Sequence, residues 1–336
     1  MRHRFAAVLV LAALGLAAAA GATVASAQPL DTRLSLVAFS TPREAYAKLI
    51  SAFQDTPPGK DVDFSQSYGA SGEQTRAVKA GLKADIVALS LAPDVNELVR
   101  AGIVDANWNR QSYRGMVTNS VVVFVVRDGN PKRIFGWDDL LKPGVQIVTP
   151  NPFTSGGARW NVMAAYGAWR KQGKTDKQAQ ARLLKLFRNV VAQDKSARES
   201  LQTFTSGKGD VLLAYENEAL FARSKGQNIQ FRIPRSTILI ENPIAVTKTS
   251  EHRAEANAFL RFLRTPPAQR VFAENGYRPV NKAVAAAFKS RFPARPGLFT
   301  IDQLGLGGWN AVQKRFFGPK SGIMARFQRI VGGSTG

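Results

Sequence analysis

Residues 34–53, LSLVAFSTPREAYAKLISAF, pass from a continuous apolar run into a pattern with helical spacing. Leu34 to Phe39 predicts a buried strand, and Arg43 to Phe53 predicts the helix that follows it. Two more strand–helix units follow, and the last of them ends near residue 101. Strands that alternate with helices at this spacing indicate an α/β fold, with parallel sheets and helices on both faces.

The rest of the chain extends this pattern into a second lobe. Val121 to Val126 is apolar throughout, which is typical of a strand buried on both faces. Ile238 to Val246 predicts a second long strand, which returns the chain to the first lobe. The chain also exceeds the size at which one hydrophobic core stops growing, so two lobes are expected.

The N-terminal residues have the pattern of a secretory signal peptide. Arg2 and Arg4 give a basic start, Phe5 to Ala20 is apolar, and Ala25-Ser26-Ala27 is a small-residue cleavage site. We expect cleavage after Ala27 and a mature protein that does not span the membrane.

The net charge of +22 is the strongest feature of the composition. The lysines and arginines are scattered, without the aromatic–basic alternation of single-strand binders, so nucleic acid is not an expected partner. A basic solvated surface remains open, as does a secreted protein that binds anionic lipid or polymer. Cysteine is absent, which excludes disulfides and thiolate metal sites.

The sequence offers little for catalysis. His3 lies in the signal segment, and His252 lies in a charged stretch. Glu216 and Glu218 are two positions apart and would not share a helical face. We therefore expect no enzyme, no cofactor and no metal site.

Four predicted helix starts are built from small residues that follow strands. They are Thr41-Pro42-Arg43-Glu44, Ser71-Gly72-Glu73-Gln74, Ser155-Gly156-Gly157-Ala158 and Ser196-Ala197-Arg198-Glu199. Three of them have the spacing of a capping box. A helix N-terminus presents free N–H groups and about half a positive charge, which suits an anion. Ordinary helix caps are the alternative interpretation.

Several segments resemble one family in order and spacing. They are Tyr68 to Gly72, Val126 to Lys132, Thr149 to Asn161, Gly209 to Ala219, Tyr277 to Pro279 and Leu298 to Asp302. The family is that of the periplasmic sulfate-binding proteins of ABC importers.

The resemblance implies an α/β, two-lobed periplasmic-binding-protein fold of type II, with the ligand in the cleft and each sheet mainly parallel. Residues 28–124 and 242–297 would form lobe 1, and 125–241 would form lobe 2. Residues 298–336 would then pack on the lobes.

It also implies the binding residues. Ser71 and Ser155 would donate hydroxyls, and Gly156, Gly157 and Ala197 would donate backbone N–H groups. Ser40 stands where the family has an aspartate that binds through its N–H. Arg159 and Arg198 would support the binding loops without touching the anion.

Tyr215 stands where the family has an indole donor. A phenol can donate a hydrogen bond but can also accept one, which an indole cannot. Thiosulfate, molybdate and phosphate therefore remain alternatives to sulfate. The implied partners are an ABC permease and its ATPase, and the protein itself is expected to be a monomer.

Overall fold

The computed structural model describes residues 32–335, so the predicted signal segment lies outside the described residues. The strands are β1 (Thr32–Phe39), β2 (Val62–Gly69), β3 (Ile86–Ala88), β4 (Met116–Arg127), β5 (Ile147–Val148), β6 (Val190–Ala192), β7 (Val211–Tyr215), β8 (Ile229–Arg232), β9 (Thr237–Val246), β10 (Arg278–Pro279) and β11 (Leu298–Phe299). The α-helices are α1 (Arg43–Gln54), α2 (Ser71–Lys79), α3 (Ala92–Arg100), α4 (Gly156–Lys171), α5 (Asp176–Arg188), α6 (Ala197–Thr205), α7 (Glu216–Ser224), α8 (Arg253–Leu263), α9 (Pro266–Glu274), α10 (Lys282–Ala287), α11 (Gly308–Phe317) and α12 (Ile323–Val331).

The first lobe contains a sheet with strand order β2-β1-β3-β9. β1 is parallel to both β2 and β3, as the strand–helix alternation predicts. Successive side chains of a strand point to opposite faces. Leu36 packs in one buried cluster with residues of α1, α8 and α9, and Val37 packs in a second cluster with residues of α2 and α3. Helices therefore cover both faces of this sheet.

Two long strands cross between the lobes. Residues 116–121 of β4 pair with β9, and residues 122–126 pair with β7 of the second sheet. The C-terminal part of β9 pairs with β3, so this strand returns the chain to the first lobe, as predicted.

The second lobe repeats the layered plan. β5 is parallel to β6 and β7, whereas β4 is antiparallel to β7 and β8. Val122 and Val123 of β4 lie in different buried clusters, one on each face. Helices α11 and α12 complete the first of these clusters. The antiparallel pairs between described strands all involve β4 or β9, and they are as numerous as the parallel pairs. The two-lobed α/β fold is confirmed, but the sheets are mixed rather than mainly parallel, because the two crossing strands run against their neighbours. The lobe boundaries themselves stay a prediction.

One predicted helix is too long. The helical spacing of apolar residues in the sequence predicts one helix from Lys177 to Val191. In the structure, α5 ends at Arg188 and β6 begins at Val190. Ile147 of β5 pairs with Val190, and the backbone N–H of Ile147 donates to the carbonyl of Asn189. Pairing with the sheet therefore overrides the helical spacing of this segment. Over residues 32–335, no helix has the length and apolarity needed to cross a membrane.

Candidate functional site

A small cavity lies where the two lobes meet, at the carboxyl ends of several strands. Its volume is about 10 Å³, so the lobes meet tightly around it. Its lining residues are Phe39, Ser40, Ala70, Ser71, Ser90, Ser155, Gly156, Gly157, Ala197 and Tyr215. The seven residues predicted to bind the ligand are all among them. Sequence reasoning missed Phe39, Ala70 and Ser90.

The second lobe contributes the start of α4. Ser155 is the N-cap of this helix, and its Oγ accepts a hydrogen bond from the N–H of Ala158 at 3.4 Å. Gly156 and Gly157 are the first helical residues, so their N–H groups have no acceptor within the helix. The predicted cap at Ser155 is thus confirmed.

Glycine is required at both positions because neighbouring groups come very close, across the two lobes at Gly156 and within the second lobe at Gly157. A Cβ added to Gly156 would collide with the side chain of Leu91 and lie 2.5 Å from Ser90 Oγ. A Cβ added to Gly157 would lie 2.9 Å from Cε2 of Tyr215. Real Cβ atoms do not make such contacts, so either side chain would push the lobes apart or displace a cavity residue.

The first lobe contributes the start of α2, where the predicted cap is wrong. Ala70 is the N-cap and Ser71 is the first helical residue, without a side-chain cap. The Ser71 hydroxyl instead donates to Asp94 Oδ2 at 2.6 Å and accepts from the N–H of Ser90 at 2.9 Å. The structure therefore gives this hydroxyl a partner other than a ligand. The backbone N–H of Ser71 lies at the N-terminus of α2 and has no acceptor within the helix.

The start of α6 has the predicted capping box. Ser196 Oγ accepts from the N–H of Glu199, and the Glu199 carboxylate accepts from the N–H of Ser196. This reciprocal pair fixes the first turn, which begins with Ala197. The N–H of Ala197 is left without an acceptor inside the helix and lies at the cavity.

The predicted cap at the start of α1 is wrong. The N-cap is Pro42, and no side chain caps the helix. The hydroxyl of Thr41 shares a 2.8 Å hydrogen bond with the Tyr277 phenol, and Glu44 pairs with Arg198. Ser40 precedes this turn and lines the cavity.

Tyr215 and Ser90 face each other across the cavity. Their hydroxyl oxygens are 2.6 Å apart, and either one can be the donor. Both side chains are buried. Burial raises the pKa of the Tyr215 phenol well above its ordinary value, so the phenol keeps its proton at neutral pH.

The two supporting arginines form ion pairs between the lobes. Arg159 of α4 pairs with Asp94 of α3 at 2.8 Å, and its Nε donates to the carbonyl of Pro152. Arg198 of α6 binds Glu44 of α1 at 2.7 Å and Glu218 at 2.8 Å. Neither arginine is among the residues that line the cavity.

The electrostatics of Arg198 follow from this burial between two carboxylates. Burial alone would lower the pKa of its guanidinium, but Glu218 and Glu44 raise that pKa above its ordinary value. Arg198 therefore stays charged, and its guanidinium pairs with the two carboxylates rather than lining the cavity.

The chemistry of the cavity is that of neutral hydrogen-bond donors. Backbone N–H groups converge from the N-termini of α2, α4 and α6, together with the hydroxyls of Ser90, Ser155 and Tyr215. Within residues 32–335, no charged side chain lines this cavity. The same part of the chain holds no group of three or more His, Cys, Asp or Glu side chains placed to bind a metal ion. The arrangement suits a small desolvated anion, because each ligand lone pair can find a donor.

Known proteins share this architecture. The model of a family described as bacterial extracellular solute-binding protein matches residues 34–278. A sulfate-binding protein of Synechococcus elongatus is 44% identical over 317 residues, which cover 92% of this chain and 89% of that protein. A thiosulfate-binding protein of Pseudomonas aeruginosa is 35% identical over 94% of this chain and 96% of its own. The solved structure of the sulfate-binding protein SubI from Mycobacterium tuberculosis superposes with a TM-score of 0.81 at 42% identity, covering 84% of this chain and 98% of that one.

Proposed function

The chain belongs to the bacterial extracellular solute-binding protein family, and we propose that it captures sulfate in the periplasm and delivers it to an ABC-type importer. The observation that carries this proposal is the cavity between the lobes, lined by neutral donors from three helix N-termini and by no charged side chain within the described residues. The sulfate-binding relatives supply the identity of the anion.

Sulfate is fully ionised near neutral pH, so it needs hydrogen-bond donors and no acceptor. The ligand contacts that we propose are the N–H groups of Ser40, Ser71, Gly156, Gly157 and Ala197 and the hydroxyls of Ser155 and Tyr215. Charge-assisted hydrogen bonds of this kind are about twice as strong as neutral ones. Together they replace the hydration shell that the dianion loses in the cavity.

Capture requires that the lobes close over the anion. Direct contacts already join the two lobes around the cavity. The N–H of Gly72 donates to the carbonyl of Thr154 at 2.9 Å, and Arg76 reaches the carbonyl of Phe153. Closure excludes water and gives the importer a loaded shape to recognise, which differs from the open empty form.

The absence of an acid or base among the lining residues supports a binding protein rather than an enzyme. Export through a signal peptide cleaved after Ala27 is part of the same proposal, and N-terminal sequencing of the exported protein checks it. A first residue of Gln28 is expected. Size-exclusion chromatography with light scattering tests the expected monomer.

Calorimetry on ligand-stripped protein tests the ligand. Titrations with sulfate, thiosulfate, molybdate and phosphate should give one site per chain, with sulfate binding most tightly. Repeating the sulfate titration at low and high sodium chloride separates a dry pocket from a basic surface. Binding in the pocket should change little with salt, whereas attachment through surface charge would weaken steeply. A tighter complex with thiosulfate than with sulfate would contradict the proposal.

A further inference from the structure

Ser90 lies at a point in the cavity that the sequence motifs do not mark. It directly follows Leu89, at the carboxyl end of the first-lobe sheet, and reaches across to Tyr215 of the second lobe. Trp160 Nε1 and Asn242 Nδ2 both donate to its carbonyl oxygen, at 2.9 and 3.0 Å. These contacts hold the Ser90 backbone in place, so its hydroxyl meets the phenol at a fixed position.

The two hydroxyls carry two protons, and one of these protons forms the bond between them. For a ligand that only accepts hydrogen bonds, Ser90 donates to the Tyr215 oxygen, and the phenol donates to the ligand. One donor then faces the anion, as a single indole N–H would provide.

The same pair can reverse its direction for a ligand that carries one proton. The ligand O–H then donates to the Tyr215 oxygen, the phenol donates to Ser90 Oγ, and the Ser90 proton turns to a ligand oxygen. Every donor in the cycle keeps an acceptor. Without Ser90, a buried phenol that accepts the ligand's proton would leave its own O–H unpaired, which is costly.

The backbone N–H groups and the Ser71 hydroxyl do not offer this reversal. The N–H groups of Gly156, Gly157 and Ala197 can only donate. The proton of the Ser71 hydroxyl is committed to Asp94, and its oxygen already accepts from Ser90 N–H. The Ser90–Tyr215 pair differs from these groups, because a ligand proton finds an acceptor there while both hydroxyl protons of the pair stay bonded.

We propose that Ser90 is a specificity-determining residue, and that the Ser90–Tyr215 pair lets the site take singly protonated tetrahedral oxyanions of the hydrogen phosphate class as well as sulfate. Sulfate remains the tighter ligand because the backbone N–H groups of the cavity only donate, and they favour a ligand whose oxygens all accept hydrogen bonds. This inference rests on the proposed sulfate site and extends its range of ligands.

The test is a pair of calorimetric titrations, with sulfate and with inorganic phosphate, at about pH 8, where the phosphate dianion bearing one proton dominates. The stripped wild-type protein should bind phosphate measurably, although more weakly than sulfate. Ser90→Ala should lower the phosphate affinity about tenfold or more and the sulfate affinity only a few-fold. The ratio of the two affinities is the readout, and retained sulfate binding shows that the variant is folded.

Two further variants make this ratio decisive. Ser155→Ala removes a hydroxyl that can serve either anion, so both affinities should fall by similar factors. Tyr215→Trp combined with Ser90→Ala leaves one donor and no acceptor at this place, so its ratio of sulfate affinity to phosphate affinity should rise well above that of the wild type. Wild-type protein that binds sulfate but not phosphate, or equal losses in Ser90→Ala, would overturn the inference. Failure of the wild type to bind sulfate would instead count against the proposed function.

Discussion

Two helix starts at the cavity have nearly the same sequence, and they use it in different ways. Ser155-Gly156 opens α4 with the serine as the N-cap, so that its hydroxyl oxygen accepts from the helix backbone. Ser71-Gly72 opens α2 with the serine one residue further in, where its hydroxyl donates to the buried Asp94. The Ser155 proton is therefore free for a ligand, whereas the Ser71 proton is not.

The difference originates outside both segments. Asp94 on α3 is held by Arg159 of α4, so one ion pair joins the helix that starts at Gly156 to the helix that flanks Ser71. A short motif thus decides where a helix begins, but the charged neighbour decides what the serine does. We expect the Ser71 hydroxyl to contribute mainly to the stability of the fold and to closure of the lobes. We expect the Ser155 hydroxyl to contribute mainly to ligand binding.

The largest expected effect comes from removing Asp94, the carboxylate that binds the Ser71 hydroxyl and so gives the two serines different roles. Asp94→Ala leaves the Arg159 guanidinium buried without its carboxylate and the Ser71 hydroxyl without its acceptor. Loss of one partner of a buried ion pair costs about 3–5 kcal/mol of stability. Urea unfolding measures this cost. Glu97→Ala, on the same helix but at a half-exposed ion pair with Lys79, is the matched control and should cost at most about 1 kcal/mol. Equal losses of unfolding free energy in the two variants would show that the buried Asp94–Arg159 pair contributes no more to stability than an exposed pair.

The next largest effect is expected from a variant at the start of α4, which tests how closely the two lobes meet beside Ser155. Gly156→Ala places a Cβ against Leu91 and 2.5 Å from Ser90 Oγ, so closure over the ligand is obstructed. We expect sulfate affinity to fall by about 3 kcal/mol, at the upper end of overpacking costs. Gly136→Ala is the control, because its nearest contact would be Asp139 Oδ2 at 3.9 Å. A Gly156→Ala protein with wild-type affinity would contradict the close approach of the lobes.

The two serine variants test the comparison itself. Ser155→Ala removes a proposed donor and a helix cap, and should weaken sulfate binding by roughly 1–3 kcal/mol in calorimetry. Ser71→Ala removes a hydrogen bond to a carboxylate, and should lower the free energy of unfolding by about 1–2 kcal/mol. Its effect on affinity should be smaller than that of Ser155→Ala. The reverse order of the two affinities would show that the Ser71 hydroxyl leaves Asp94 for the ligand.

The smallest effect concerns the outer ion pair between the lobes, Glu44 with Arg198. Burial alone would raise the pKa of Glu44, but the hydrogen bond and charge of Arg198 hold that pKa below its ordinary value. The pair therefore stabilises the closed form at neutral pH and loses its effect as the pH falls through this lowered pKa. Glu44→Gln should cost at most about 1 kcal/mol at neutral pH, because the carboxylate is a third exposed. Thermal unfolding over a pH series should show the difference from wild type vanishing in acid, and a difference that persists there would contradict the assignment.

Much of the fold follows from local patterns in the sequence. The strand–helix alternation of the first hundred residues gives β1 to β3 and α1 to α3, and the two long apolar runs give the crossing strands β4 and β9. The end of α5 was missed because pairing between β5 and β6 is a contact between distant segments.

The sequence predicts those residues of the site that lie at or shortly after the carboxyl ends of strands. The seven expected residues line one cavity because parallel strands bring their carboxyl ends together. Ser90 and Asp94 were not predictable in the same way. Ser90 meets Tyr215 across 125 positions of the chain, and Asp94 meets Arg159 across 65. No local motif encodes a partner at such a separation.

Crystallisation of the stripped protein with selenate tests the central claim most directly. Selenate is a tetrahedral dianion like sulfate, and its selenium gives an anomalous signal that locates it without interpretation of the surrounding density. We expect a single strong peak between the N-termini of α2, α4 and α6, within hydrogen-bonding distance of the N–H groups of Gly156, Gly157 and Ala197. A peak coordinated by surface lysines or arginines, with the cavity unoccupied, would contradict the account.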